Sequence, residues 1–427
     1  MMHVLYLSYF SPFHLHAASN RSQRFAQYLS QAGCHVDLLC EPRNSQWPQQ
    51  PYFSSWQPDT AITHQMVASW DIDWLWRWPA LCQTTLRHMN LGQNMGARLF
   101  PSQISSEESD IAKMFLLVDK HWGWVIPSLW QCCQHIMANR PDVILVSCPP
   151  FSSSLIGYFL SRWFGLPLVL DFRDAWSRAS YFSEGRISPW EKRVLRQAAK
   201  LIVTSQSDWL AYQRLIGQGK VAWIPNSYDY IPEPVFRHSE VFTLGYSGSW
   251  SGFRCSAEGI FSQLTNVPFT FRFINIGEHV PVFDGWVKQY GLKHVVKTIG
   301  QLEKKQAQSL LCQCDALFIQ KGSPDRGKTD THLATKAIDY VACGRPILAE
   351  LPEGETLEFL RQYAGRLYEV GTDSPGEYYQ QLTTMHWDWQ QQPERQYRPS
   401  TEFFEAFDAT ALGERLYQEL TEIAGFK

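Results

Sequence analysis

A short apolar run, a polar loop, a helical stretch closed by glycine and a second short apolar run follow one another at the start of this chain, and the order recurs along most of it. Val4–Tyr9 is β-rich and ends at Ser11-Pro12. Ser22–Ala32 has helical spacing, with Phe25, Ala26 and Leu29 on one face, and Gly33 closes it. His35–Cys40 is the next apolar run. Strand, helix, strand is a βαβ unit, which dictates a parallel sheet covered by helices. After Glu41 the pattern weakens: Pro42 to about Ser106 is rich in Gln, Pro, Trp and Ser and reads as an irregular insertion with short helices. Regularity returns with a helix over Ser128–Ala138, a strand over Val143–Val146, a helix over Ser153–Phe164 ended by Gly165 and a strand over Leu168–Leu170. A helix over Trp190–Lys200 and a strand over Leu201–Thr204 complete this half.

Ile224-Pro225-Asn226-Ser227 is turn chemistry, and Pro232-Glu233-Pro234 is a stiff connector. The alternation then starts again. Strands are expected over Phe242–Tyr246, Phe271–Ile276, Val295–Ile299, Ala316–Ile319 and Pro346–Ala349, with helices over Lys304–Cys314 and Ala334–Ala342. Thr401–Ile423 reads as one long amphipathic helix with Phe404, Leu412, Leu416 and Leu420 on its apolar positions. The fold class is therefore α/β, with two Rossmann-like, doubly wound domains over residues 1–232 and 233–400, the first carrying the insertion at about 42–120. A chain of 427 residues is too long for a single core in any case. Ligands of such sheets lie outside the carboxyl ends of the strands, so the cleft between the domains is where function is expected.

A net charge of −3 gives no field that would draw nucleic acid, so an anionic ligand must be met by a few local cations. The ten cysteines are scattered, with no paired C-x-x-C units of a zinc site, and read as free thiols in a reducing compartment. No Lys or Arg precedes the first apolar run, which reads as a strand rather than a signal peptide, and no apolar stretch is long enough to span a membrane. A cytoplasmic protein is expected. Many of the 18 tryptophans fall between Trp47 and Trp130. They read either as core packing or as a half-wet face that binds an acceptor or touches the inner face of a membrane.

The most informative stretch is THLATKAIDYVACGRPILAE, Thr331–Glu350. A polar loop holding Lys321, Arg326 and Lys328 runs into a helix that Thr331 or Thr335 can cap, with Lys336 in the first turn and Asp339 one turn on. A helix N-terminus offers free N–H groups and positive potential, which suit a pyrophosphate. A lysine there adds a point charge for a leaving phosphate, and a carboxylate one turn later suits the hydroxyls of a ribose. The same residues also fit a surface helix with a weak Lys–Asp pair.

ATKAIDYVACGRPILA resembles the donor-site helix of GT-B glycosyltransferases of family four, in which a Lys precedes a Glu-Tyr pair and a Gly-Arg/Lys-Pro turn. RPDVILVSCPPFSSSLIGYFLSRWFGLPLVLDFRDAW (140–176), AKLIVTSQSDW, IPNSYD and LGYSGSWSGFR (244–254) are similar to other segments of that family in the same order. The likeness covers most of the chain outside roughly 42–120. It implies a GT-B fold with residues 401–427 returning as a helix to the N-terminal domain. It also implies retaining transfer of a sugar from a nucleotide-sugar to a saccharide, lipid-linked or small-molecule acceptor in glycoconjugate synthesis, without a cofactor or an obligatory metal. Carried over by position, Arg254, Lys336 and Asp174 are the catalytic candidates. Ser249, Arg254, Lys321, Thr335, Lys336 and Asp339 would bind the donor, and Ser11, Asn20, Arg21, Arg173 and Asp174 would face the acceptor. Several positions depart from the family pattern. Ser249 stands where an Arg is common, Asp339 where Glu is usual, Thr331 where the first acidic residue falls, and Ala17-Ala18-Ser19 where many relatives have Gly-Gly. Ser147 and Cys148 lack the His some relatives place there, and His14 and His16 flank the first loop. Asp171, Arg173 and Asp174 could equally be a structural pair at the base of a loop. Two other readings stay open: a nucleotide-sugar epimerase or hydrolase on the same fold, and a catalytically silent subunit that binds a partner.

Overall fold

The computed structural model describes residues 1–13, 17–42, 56–70, 118–119, 121–178, 189–228, 241–324, 328–372, 374, 376–392 and 397–426. Most of the expected insertion, with Trp47, Trp74, Trp76 and Trp78, lies outside the described residues, as do His14, His16, Arg326 and the Pro232-Glu233-Pro234 connector.

Two parallel sheets organise the molecule. The first is built from β1 (His3–Phe10), β2 (His35–Glu41), β3 (Ile62–Met66), β4 (Val143–Cys148), β5 (Leu168–Phe172), β6 (Lys200–Val203) and β7 (Val221–Trp223), in the spatial order β3-β2-β1-β4-β5-β6-β7. The helices between them are α1 (Ala17–Gln31), α2 (Val125–Ala138), α3 (Ser152–Phe164), α4 (Pro189–Gln197) and α5 (Gln206–Ile216). The second sheet holds β8 (Phe242–Ser247), β9 (Phe271–Ile276), β10 (Val296–Gly300), β11 (Ala316–Gln320), β12 (Ile347–Glu350) and β13 (Leu367–Val370), in the order β10-β9-β8-β11-β12-β13. It is flanked by α6 (Glu258–Leu264), α7 (Pro281–Gln289), α8 (Lys304–Leu311), α9 (Thr335–Cys343), α10 (Glu355–Tyr363) and α11 (Glu377–Gln391). The chain ends in α12 (Thr401–Phe407) and α13 (Ala409–Ala424). In each sheet the order reverses beside the first strand, at β1/β4 and at β8/β11, which opens a crevice at the carboxyl ends of those strands.

The central strands are apolar on both faces because helices cover both: Val4, Leu5, Tyr6 and Leu7 are all buried. The structure corrects the sequence reading at three places. Helix α1 begins at Ala17 rather than Ser22, so Asn20 and Arg21 sit in its first turns and not in a loop. The supposed irregular insertion contributes an edge strand, β3, paired in register with β2 (Val36 with Ile62, Cys40 with Met66). The long C-terminal helix is two helices broken at Asp408, whose extended backbone bridges to Tyr228 and whose side chain accepts from the Ala411 N–H (2.9 Å) to cap α13. Helix α13 lies against α1. Leu412, Leu416 and Leu420 join Val4, Tyr6, Phe25 and Leu29 in one cluster. Gly413 permits the contact, since a Cβ there would lie 2.3 Å from the Tyr28 ring. Among the described residues no helix is long and apolar enough to cross a membrane.

Candidate active site

The carboxyl ends of the two sheets face each other across a cleft, and side chains from both domains meet in it. On the C-terminal side, α9 starts at Ala334 with no side-chain cap, leaving the first-turn N–H groups as an anion-binding end. Lys336, half-buried in that turn, donates to Tyr246 Oη (3.0 Å) and stands 4.4 Å from the centre of the Tyr246 ring. Tyr246, the penultimate residue of β8, stacks on Trp250 at 4.0 Å and donates to the Ser249 carbonyl (3.1 Å). Gly248, at φ 136°, lies beside the ammonium: a Cβ there would stand 3.4 Å from Lys336 Nζ and fill the space in front of it. Among the described residues no carboxylate pairs with Lys336. Burial lowers its pKa, and the nearby Lys321 adds to that.

On the facing side, β5 runs into Asp171, Arg173 and Asp174. Asp174 Oδ1 accepts from Nε2 of His332, which belongs to the other domain (3.3 Å). Burial raises the Asp174 pKa although Arg173 and Lys321 oppose the shift. His332 stacks on Phe253 (4.7 Å, 27°), and its Nδ1 is buried with no hydrogen-bond partner among the described residues. Burial, reinforced by Lys321 and Lys336, holds its pKa well below the usual 6.5, so the ring is neutral at pH 7. Neither His332 nor the contact it makes was foreseen. The sequence signal was only a histidine just ahead of the donor-helix motif, with no partner within reach along the chain.

The other candidates divide. Arg254 is exposed beside the cleft, with Nη1 donating to the Ser323 carbonyl (3.0 Å); it and Phe253 both hold φ at 53°, a left-handed conformation costly for a side-chain-bearing residue. Ser249 is exposed, its Oγ 2.6 Å from Ser251 Oγ. Thr335 Oγ1 accepts from Asn226 Nδ2 (2.9 Å), so the interdomain turn is tied to the first residue of α9. Lys321 is not a free donor-site cation: it is buried against Asp330 (2.5 Å) and donates to the His332 carbonyl (3.2 Å), fixing the loop that leads to α9. Asp339 is drawn to α8, where Lys304 (3.0 Å) and Gln308 Nε2 (2.9 Å) both reach its Oδ1.

On the acceptor side, Arg21 is not exposed to a ligand. It is buried against Asp171 (2.8 Å) and donates to the carbonyls of Ile224 (2.8 Å) and Pro225 (2.9 Å). Its length and charge are spent on locking β5 and the interdomain turn to α1. Arg173 reaches back to the Cys148 (3.3 Å) and Pro149 carbonyls and lies over the Phe10 ring. Ser11 is buried and braces the loop by accepting from the Phe13 N–H (3.3 Å). Asn20 is half-buried at the start of α1. Asp174 is therefore the acceptor-side candidate that opens directly on the cleft.

Residues 17–227 match the model of a family described as glycosyl transferase 4-like domain. No curated protein matches the sequence. Solved structures similar over essentially the whole chain include sucrose-phosphate synthase from Thermosynechococcus elongatus (TM-score 0.69, 14% identity, 100% of each chain). They also include Anabaena HepE in complex with UDP and glucose (0.62, 13%, 99% of this chain and 100% of that one). UDP-GlcNAc 2-epimerase from Methanocaldococcus jannaschii is similar as well (0.55, 10%, 99% of this chain and 100% of that one). At these identities the likeness speaks for the arrangement of the two domains.

Proposed function

We propose that this GT-B glycosyltransferase, whose residues 17–227 form a glycosyl transferase 4-like domain, moves a hexose from a nucleotide-sugar to a saccharide or lipid-linked acceptor with retention at the anomeric carbon. The observation that carries the donor assignment is Lys336: an ammonium with no carboxylate partner among the described residues, set in the first turn of an uncapped helix and facing a glycine turn. Because HepE has this fold and was solved with UDP and glucose, UDP-glucose is the first donor to test.

Breaking the sugar–phosphate bond builds negative charge on the diphosphate and positive charge on the ring. The N–H groups of α9, Lys336 and the exposed Arg254 would take the first, fixed in place before the reaction. Asp174 would face the ring and the attacking hydroxyl, held in position by His332 across the cleft. With cations and N–H groups on the diphosphate, the transfer step needs no metal and no cofactor.

The test is product analysis by NMR with UDP-glucose and a panel of saccharide and polyprenyl-linked acceptors, with and without added Mg2+ or Mn2+. The expected result is a glycoside of the same anomeric configuration as the donor, formed at a rate indifferent to the added ions. An inverted product would end the retention proposal. Donor consumption with no acceptor present would favour the epimerase or hydrolase reading, and no turnover or nucleotide binding at all the silent-subunit reading.

Membrane contact rests on α2, where Ile126, Trp130 and Met137 are all exposed along one side. Trp130→Ser should then reduce flotation with anionic liposomes, and wild-type protein that never floats would remove the idea.

A further inference from the structure

At the opposite edge of the first sheet from the cleft, three histidines converge on one aspartate. His3 opens β1 and His35 opens β2, and the two are register partners; Asp37 follows two residues on, opposite Leu5. Side chains two apart on a strand share a face, so His3, His35 and Asp37 all point to the side covered by α2. That helix delivers His135 from its last turn. His3 Nε2 contacts Asp37 Oδ2, His135 Nε2 lies 2.5 Å from the same oxygen, and His35 Nε2 lies 3.2 Å from Oδ1. The ligand-capable atoms of His3, His35 and Asp37 are all within 4.8 Å of one another. A tetrahedral zinc with bonds of about 2.0–2.1 Å holds its ligand atoms roughly 3.3 Å apart, so His3 and His135 would draw back from the Asp37 oxygen to admit one.

From these residues we propose a structural zinc-class site with His3, His35, His135 and Asp37 as its four ligands. Two features suit a bound dication. The His3 imidazole also donates to the Arg140 carbonyl. An outer partner of that kind fixes the tautomer of a metal-bound histidine. The three rings crowd a single carboxylate, with centres 5.0 Å (His3–His35) and 6.3 Å (His3–His135) apart, and three imidazoles with one carboxylate are a nitrogen and oxygen donor set that suits a zinc-class dication. Asp142 supports the arrangement from behind by accepting from the His3 backbone N–H (2.7 Å). Bound there, the ion ties β1, β2 and α2 together on the side of the domain away from the chemistry, its four positions all filled by protein ligands.

The test uses the untagged full chain, stripped with a chelator and titrated with Co2+ and then Zn2+. One Co2+ per chain should bind with the intense visible absorption of a four-coordinate ion and be displaced by Zn2+. Saturating Zn2+ should raise the melting midpoint by about 5 °C or more. His135→Gln and His35→Gln, both at partly exposed positions, should keep the wild-type circular dichroism spectrum and weaken binding by more than the roughly 10- to 100-fold lost with an outer partner. Both variants should keep any nucleotide-induced shift of the cleft. Absence of the visible band, or variants that bind Co2+ as wild type does, would overturn the site.

Discussion

Lys336→Ala should lower kcat/KM by about 100- to 1,000-fold, the range expected when one preorganised donor to a developing anion is removed, or ~2.7–4 kcal/mol. The same variant should lose the thermal stabilisation that UDP gives the wild type, which at 100 times the dissociation constant is about 2.7 kcal/mol. It should not lose stability in the absence of ligand. Burial lowers the pKa of Lys336, which means the folded protein holds its charge at a cost, and alanine removes that cost. A functional cation bought at the expense of the empty protein's stability is common in active sites. The pH dependence carries a sign. Lys336 is charged below its lowered pKa and neutral above it, so UDP affinity should fall as pH rises through a range where an ordinary lysine would still be charged. Lys336→Ala should show no such fall. Turnover within a few-fold of wild type, with the UDP shift retained, would remove Lys336 from the donor site.

Arg21→Met should destabilise the N-terminal domain by about 3–5 kcal/mol, because it leaves Asp171 buried and without its charge partner. The carbonyls of Ile224 and Pro225 lose donors at the same time, and with them the interdomain turn loses its anchor on α1. Adding Asp171→Leu should restore much of the loss, since replacing both ends of a buried pair with apolar groups costs far less than breaking it. Denaturant unfolding of the two single variants and the double variant measures this coupling directly. If Arg21 instead contacted the acceptor, the single variant would raise KM for acceptor and leave the unfolding curve where it was. That outcome would reverse the structural assignment.

The two predictions mark where the sequence was legible and where it was not. The strands at the centre of each sheet were readable because a parallel strand covered on both faces is an uninterrupted apolar run, as in Val143–Val146 of β4. The edge strand β3 was not, because ITHQM buries only its first residue and has the composition of a loop. The break at Asp408 was hidden by apolar positions that stay in helical phase across it, from Phe404 to Leu412. Lys336 stands in a local motif that announces a helix start, so its position in the first turn of α9 followed from the sequence alone. Arg21 and Lys321 are the opposite case. A cation near a strand end looks like a ligand-binding group until its counter-charge is known, and Asp171 is 150 residues from Arg21. The histidine cluster is similar: residues 3, 35, 37 and 135 become neighbours only through the register of β1 on β2 and the packing of α2.

The return of α13 to α1 also sets an order of synthesis. The face of the first sheet formed by Val4, Tyr6 and Val36 is completed by Leu412, Leu416 and Leu420, which leave the ribosome after every strand of the second sheet. By then the second sheet has already been made, and its own clusters draw nothing from the first domain's strands. From Trp223 at the end of β7 to Leu420 is a wait of about 200 residues, roughly 10–40 s at about 5–20 residues per second. During that interval the domain that is translated first carries an open apolar face, and the domain that is translated second is the first to be finished.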